Sequence, residues 1–346
     1  MRTHNGQSAP APGLPVALDA MGGDRAPAVV VEGAVDAARA DGIPIILVGR
    51  RAAIERELAR RDVAGLPIEI EEADEVIGMD EHGALALRQK RRASLKVAID
   101  LVAAGRAAAA YSAGNSGAVM AAALLTLRRL PGIERPAIGS PFPTGSGVSF
   151  LIDMGANAEC KPSYLVQFAA MGVAYMRLSF GLANPSVGLI SNGEEEEKGT
   201  PLVREAHALL AAGPFNFKGN IEGKDLPGGL VDVVVTDGFT GNVLLKGAEG
   251  TASAFRTLME AELRQSWRTK LGAALAMPAF RALRRRLDYE EYGGAPVLGV
   301  NGVVLVGHGR SGPNAIRNGV RVARDLAHKG LADAIARELE SLKVTQ

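Results

Sequence analysis

Six loops carry the residues of this chain best suited to chemistry: Asp19-Ala-Met-Gly-Gly-Asp24, Ser112-Ala-Gly-Asn-Ser-Gly117, Asp153-Met-Gly-Ala-Asn157, Asn192-Gly-Glu-Glu195, Asp237-Gly-Phe-Thr-Gly-Asn242 and Gly307-His-Gly-Arg-Ser-Gly312. Each follows a short apolar run. Glycine lets a backbone come close to a ligand, and exposed N–H groups beside Asn or Ser donors suit oxyanions. No loop brings a metal cage or a cysteine nucleophile, so neither a metal nor another cofactor is expected. What remains is a cradle for phosphate and for a developing oxyanion, working by positioning and hydrogen bonding.

Such loops need a scaffold. Continuous hydrophobic runs mark parallel strands buried on both faces, and in open α/β sheets ligands bind outside the carboxyl ends of the strands. The six loops are therefore expected to converge on one site. Strands are read at 16–19, 43–48, 67–71, 107–111, 148–152, 187–190, 231–236, 297–298 and 303–306. Helices are read at 27–40, 52–60, 95–104 and 162–180, with an Ala/Leu helix ending at Arg129 and another capped by Thr200-Pro201. The stretch 72–93 reads as irregular. This alternation predicts a Rossmann-like three-layer α/β/α fold with a largely parallel sheet, within a single catalytic domain over 15–346.

Composition narrows the classes. A chain of 346 residues, 47% hydrophobic and 22% charged, can bury a large core, and 4% aromatic content makes that core aliphatic. A net charge of +1 supplies no global field toward nucleic acid. The one cysteine, Cys160, excludes an internal disulfide and fits a reducing cytosol. Residues 1–14 read as a disordered tail with no secretory signal, and no run of eighteen apolar residues spans a membrane.

Two motifs have competing readings. Gly307-x-Gly309-x-x-Gly312 follows a strand and precedes a helix, as a dinucleotide fingerprint requires, yet no later strand completes the βαβ unit. A phosphate-binding loop, or a tight turn with His308 capping its neighbours, are the other readings. The run Glu194-Glu195-Glu196-Glu197 reads as a solvated loop ahead of a helix; Lys198 follows it and could hold phosphate or polarise a carbonyl. A metal site there would need Asp153 or Asp237 to join the glutamates.

The segments Ala17-Leu-Asp-Ala-Met-Gly-Gly-Asp24, Ser112 to Ala118, Asp153 to Asn157, Gly193-Glu-Glu195, Asp237 to Val243 and Tyr292-Gly-Gly-Ala-Pro-Val-Leu-Gly-Val-Asn-Gly302 occur in the order and spacing of the bacterial phosphate acyltransferase family of phospholipid synthesis. The chain resembles that family from Val16 to about Leu326. The resemblance implies transfer of a long acyl chain from acyl carrier protein to inorganic phosphate, giving acyl phosphate for a downstream glycerol-3-phosphate acyltransferase. It also implies a homodimer with an architecture similar to phosphotransacetylases and the isocitrate dehydrogenase group. On matching positions, Lys198 and Asn242 are the expected catalytic pair. Asn115, Ser116, Asn157, His308 and Ser311 are candidates for phosphate and oxyanion contacts. Asp19, Gly22, Gly23, Asp153, Asp237 and Gly238 are expected to position loops, because a bare carboxylate would repel phosphate. Glu159, Ser191-Asn192 and Gly312-Pro313 depart from the family pattern.

A basic helical arm is expected at 262–288. Residues 263–287 hold seven Arg or Lys and no acid, with apolar residues at helical spacing that resume after Pro278. The arm reads as packing on the body or a second subunit, as docking an acidic carrier protein, or as lying on an anionic membrane surface. Trp267, Arg268, Lys270, Phe280, Arg281, Arg284, Arg285 and Arg286 would make the contact. Arg88, Lys90, Arg91 and Arg92 form a second basic cluster. The expected location is the cytoplasm, peripherally on the inner face of the cell membrane. A nicotinamide-dependent dehydrogenase and a non-enzymatic membrane scaffold are the alternative functions.

Overall fold

The computed structural model describes residues 13–287 and 289–344 and, for side chains, 13–281 and 290–342. The tail expected at 1–14 lies, up to residue 12, outside them.

Among the described residues, the strands are β1 (Val16–Asp19), β2 (Ile45–Gly49), β3 (Ile68–Glu72), β4 (Ala109–Ser112), β5 (Ala137–Pro143), β6 (Val148–Ile152), β7 (Ser186–Ile190), β8 (Asn216–Ile221), β9 (Val233–Val235), β10 (Ala295–Leu298) and β11 (Val304–Val306). The helices are α1 (Ala28–Asp41), α2 (Arg51–Leu58), α3 (Gly83–Gln89), α4 (Ser94–Ala103), α5 (Ser116–Thr126), α6 (Pro162–Phe180), α7 (Pro201–Ala212), α8 (Gly238–Leu263), α9 (Trp267–Leu287), α10 (Pro313–His328) and α11 (Leu331–Val344).

All the strands join one sheet in the order β3-β2-β1-β4-β11-β10-β5-β6-β9-β7-β8. The β3-β2-β1-β4-β11 set is parallel throughout, and so is the β6-β9-β7-β8 set. Between them β11/β10, β10/β5 and β5/β6 are antiparallel. The expected α/β/α layering and largely parallel sheet are what the structure has. The three reversals nevertheless run the second parallel set opposite to the first, a feature that the sequence reading did not include. The loops after β1, β4 and β11 leave one edge of the sheet, and those after β6, β7 and β9 leave the other.

Side-chain alternation along the strands divides the core by face. One face is continuous across the sheet: Leu18, Leu47, Tyr111, Phe150, Ile152, Leu189, Val235 and Leu305 meet helices α1, α6, α7, α10 and α11. The opposite face is split. Ala17, Ile46, Ala110, Ile138, Val297 and Val304 pack under α3, α4 and α5, whereas Leu151, Ile190, Ile221 and Val234 form a separate cluster with Leu244 and Leu245 of α8. Met154 packs against both clusters. The division separates the side chains packed under α5 from those packed under α8.

β5 lies at the seam between the two clusters, with Ile138 in one and Phe142 against the other. Only Ala137 and Ile138 pair with β10, while 139–143 pair with β6 alone. Phe150, opposite Pro141, sends its N–H to Asp232 O at 2.7 Å on the far side. Pro141 and Pro143 therefore point their missing donors away from β6, toward the side that β10 does not reach, where a strand tolerates proline.

Four further elements differ from the sequence reading. α3 lies within the stretch expected to be irregular, β5 and β8 were not expected, and α9 runs through Pro278 instead of restarting after it. The arm is longer than 262–288, because α8 forms its first leg.

Candidate active site

The first edge is built around Asp19. Its carboxylate is buried, accepting the Ser112 hydroxyl at 2.6 Å and the Met21 N–H at 3.1 Å. Burial pushes its carboxyl above the ordinary aspartate value, against the pull of these hydrogen bonds. A β-carbon on Gly22 would stand 2.4 Å from the Asp19 carboxylate and 2.8 Å from Gly114 N, so only glycine lets these two loops close on each other. Gly23 follows, and Asp24 N donates to Gly309 O at 2.9 Å, bringing in the loop after β11. Ser112 was not singled out from the sequence. Its signal is a hydroxyl at a strand end beside a neighbouring strand that ends in an acid.

Asn115, expected to contact phosphate, is occupied otherwise. As the N-cap of α5 its Oδ1 accepts from Ala118 N at 3.0 Å, and its Nδ2 reaches the carbonyls of Gly78, Met79 and Glu81. Ser116 opens α5 with its side chain exposed. Arg310 N donates to His308 Nδ1 at 3.3 Å and Ser311 N to His308 O at 2.8 Å, which is the tight-turn geometry. Ser311 is buried, and its carbonyl accepts from Arg25 at 3.0 Å. Beyond β11 the described residues continue as α10 and α11, and no strand among them completes a dinucleotide unit.

The second edge is built around Asp153. This fully buried carboxylate accepts from the N–H groups of Ile138, Ala156 and Asn157 and from Asn157 Nδ2. Burial is the larger influence and raises its carboxyl above the ordinary range. Asn157 also spends its amide on Pro136 O at 2.8 Å, and its own carbonyl accepts Gly238 N at 2.8 Å. Asp237 caps α8, accepting from Thr240 N at 2.9 Å and Thr240 Oγ1 at 2.7 Å. At the start of the second turn of α8, the half-buried Asn242 lies against Gly155. Cys160 donates its thiol to Asn157 O, and burial pushes that thiol up to about 11.

Lys198 belongs to the same edge. Asn192 Oδ1 holds Gly199 N at 2.8 Å, and the Lys198 stem crosses Gly193. Lys198 is exposed, and so are all four preceding glutamates. None of the ion pairs among the described residues takes Lys198; Glu222 is paired by Lys224. The Glu194, Glu222 and Asp225 carboxylates lie within 4.8 Å of one another, and neither Asp153 nor Asp237 joins them. A β-carbon on Gly223 would lie 3.4 Å from Leu244 of α8, so the 222–225 turn links the Lys198 loop to the helix that carries Asn242.

Of the arm residues, Trp267 is 71% exposed and lies under the Arg268 guanidinium at 5.6 Å; Lys270 and Arg281 are exposed, and Phe280 is half-buried. The side chains of Arg284, Arg285 and Arg286 lie outside the described residues. The second basic cluster is partly consumed: Lys90 pairs with Glu81 and Arg92 with Asp74, leaving Arg88 and Arg91 outward.

The fold is that of phosphotransacetylases. One from Streptococcus pyogenes superposes with a TM-score of 0.59 over 95% of this chain and 96% of its own, at 17% identity. Sequence is more specific. The family described as "Fatty acid synthesis protein" matches residues 14–334. A phosphate acyltransferase of Geobacter sp. (strain M21) is 50% identical over 324 residues, covering 94% of this chain and 92% of the relative. Another, of Anaeromyxobacter sp. (strain Fw109-5), is 51% identical over 93% of this chain and 90% of the relative. The class is thus an α/β transferase. The chain belongs to the fatty acid synthesis protein family, whose members at this similarity are phosphate acyltransferases.

Proposed function

We propose that the chain transfers a long acyl group from the thioester of acyl carrier protein to inorganic phosphate, releasing acyl phosphate for phosphatidic acid synthesis. Phosphate is itself the nucleophile. One of its oxygens attacks the thioester carbonyl carbon, the C–O bond forms, and an oxyanion develops. The C–S bond then breaks, and the carrier leaves as a thiolate that takes a proton from solvent.

The observation that carries this reading is Lys198, an exposed ammonium kept out of ion pairs behind four glutamates, on the same sheet edge as Asn242. Lys198 holds phosphate or the thioester oxygen, and Asn242 orients it by hydrogen bonding at the start of α8. Ser116 at the α5 N-terminus, with His308 and Ser311 nearby, supplies further donors. Sheet twist brings the two edges into one reading: at roughly 20–25° per neighbour, the six steps from β1 to β9 turn the second half by roughly 120–150°. In this reading the residues of both edges serve one site, on the face that carries α5 and α8.

The α8–α9 arm fits an enzyme whose product carries an acyl tail. Val243, Phe255, Leu258, Leu271 and Leu275 are exposed along it, with basic residues between them. We read the arm as shared between a second copy of the chain and an anionic lipid surface, giving a peripheral homodimer. No helix among the described residues is long and apolar enough to cross a membrane. Incubation with palmitoyl carrier protein tests the chemistry: free carrier thiol should appear only when phosphate is present, and release without phosphate dependence would reject the reading.

A further inference from the structure

β8 does not pair regularly with β7. Val187 faces Phe217, yet Leu189 faces Asn220, so one extra residue is inserted at 218–219, where Gly219 has φ +93°. In a regular strand, residues three apart point to opposite faces. Here both Phe217 and Asn220 meet His207 of α7: the Phe217 ring lies edge-on to the imidazole at 5.1 Å, and Asn220 Oδ1 is 3.0 Å from His207 Nδ1. The bulge turns Asn220 onto the α7 side, a use for which bulges recur beside functional sites.

Asn220 is thereby aimed at the loop that carries Lys198. Its Nδ2 donates to Glu195 O at 2.7 Å, and the same carbonyl accepts Lys198 N at 3.1 Å. Because Nδ2 is the donor on that side, Oδ1 faces His207 as an acceptor, and the imidazole must carry its proton on Nδ1. His207 and Asn220 are both buried, whereas the turn that they grip is exposed.

We infer that His207 and Asn220 are positioning residues for the transfer reaction: through Glu195 O they fix the 195–198 turn and so the direction from which Lys198 enters the site. The inference rests on the role proposed for Lys198. Beyond the Asn192–Gly199 bond and the contact of the Lys198 stem with Gly193, an exposed four-glutamate loop has little to hold an ammonium in register, and misplacement by about 1 Å costs up to about a hundredfold in rate. The grip from the buried side supplies that register.

Asn220→Asp keeps the shape and the acceptor toward His207 while removing the donor to Glu195. In the full-length protein it should lower kcat by roughly tenfold to a hundredfold, with KM for the acyl donor unchanged and the melting temperature near that of the parent. Amide exchange in 194–199 should accelerate in the same variant. His207→Leu should behave likewise, and His207→Asn, whose amide can donate from about the Nδ1 position, should recover most of the turnover. Unchanged kcat and exchange in Asn220→Asp would overturn the inference. So would a loss that His207→Asn fails to recover, or one that follows a general fall in melting temperature. Lys198→Ala separates the two layers: if it retains full transfer, the site reading fails, while the exchange measurement still decides whether the pair holds the turn.

Discussion

The carbonyl oxygen of Asp153 occupies the place where a side chain on Gly241 would begin: a β-carbon there would lie 1.9 Å from it. The first turn of α8 thus rests directly on the backbone of the loop after β6, and Asn242 is the next residue. Gly241→Ala should cost roughly 3 kcal/mol or more, because the obstacle is backbone that cannot swing away. Gly250→Ala, further along α8 in open space, should instead stabilise by roughly 0.5–1 kcal/mol. Chemical denaturation of both variants measures the contrast, and equal effects would refute the close packing.

Replacing Lys198 or Asn242 tests the chemistry without touching the core. Each to Ala should reduce phosphate-dependent thiol release by roughly a hundredfold to a thousandfold, with the melting temperature within a degree or two. Retained turnover in either variant removes that residue from the proposed pair.

Asp19 predicts a pH dependence of stability. Burial holds its carboxyl above the ordinary value of 3.8, so the native chain binds more protons than the unfolded one between that value and the raised one. The group's contribution to stability is complete below this window and is lost as the pH rises through it. Asp19→Asn cannot ionise. The melting temperature of the variant minus that of the parent should therefore increase from about pH 4 upward, whereas a difference flat in pH would count against a buried, ionising Asp19.

Cys160 should be a slow thiol. With its thiol at about 11 against an ordinary 9.0, its thiolate fraction near pH 8 is lower by roughly a hundredfold than that of a free cysteine. Alkylation by iodoacetamide should lag a glutathione standard accordingly, and Cys160→Ala should keep phosphate-dependent transfer.

Trp267 is the only tryptophan of the chain and reports on the arm alone. Its emission should shift to the blue with vesicles containing phosphatidylglycerol, stay unchanged with phosphatidylcholine, and return in about 0.5 M salt. An unchanged spectrum with anionic vesicles would leave the arm to protein partners.

Much of this architecture was legible because strands such as Val16–Asp19 and Ile45–Gly49 are apolar up to their last residue, and their terminal loops have distinctive Gly, Asn and Asp content. Polarity and breakers hid the remainder. β5 holds Gly139, Pro141 and Pro143, β8 holds Lys218, Gly219 and Asn220, and α8 begins among glycines. The hidden strand β5 was also one that mattered, since with β10 it makes the three antiparallel steps that reverse the second half of the sheet. At the site, residue type was readable but hydrogen-bond direction was not. Asn115 and Asn157 have the chemistry of phosphate ligands, yet their amides are spent on carbonyls of neighbouring loops, which only the folded chain reveals.

The two prolines of β5 have a consequence beyond their own strand. A half-paired strand in the middle of a wide sheet is a template onto which a segment of another polypeptide could zip, and a crowded cell offers many such segments. Pro141 and Pro143 leave that row without amide donors at alternate positions, so an incoming strand finds a broken ladder. The protein can leave its sheet half-paired at the seam and still resist aggregation there.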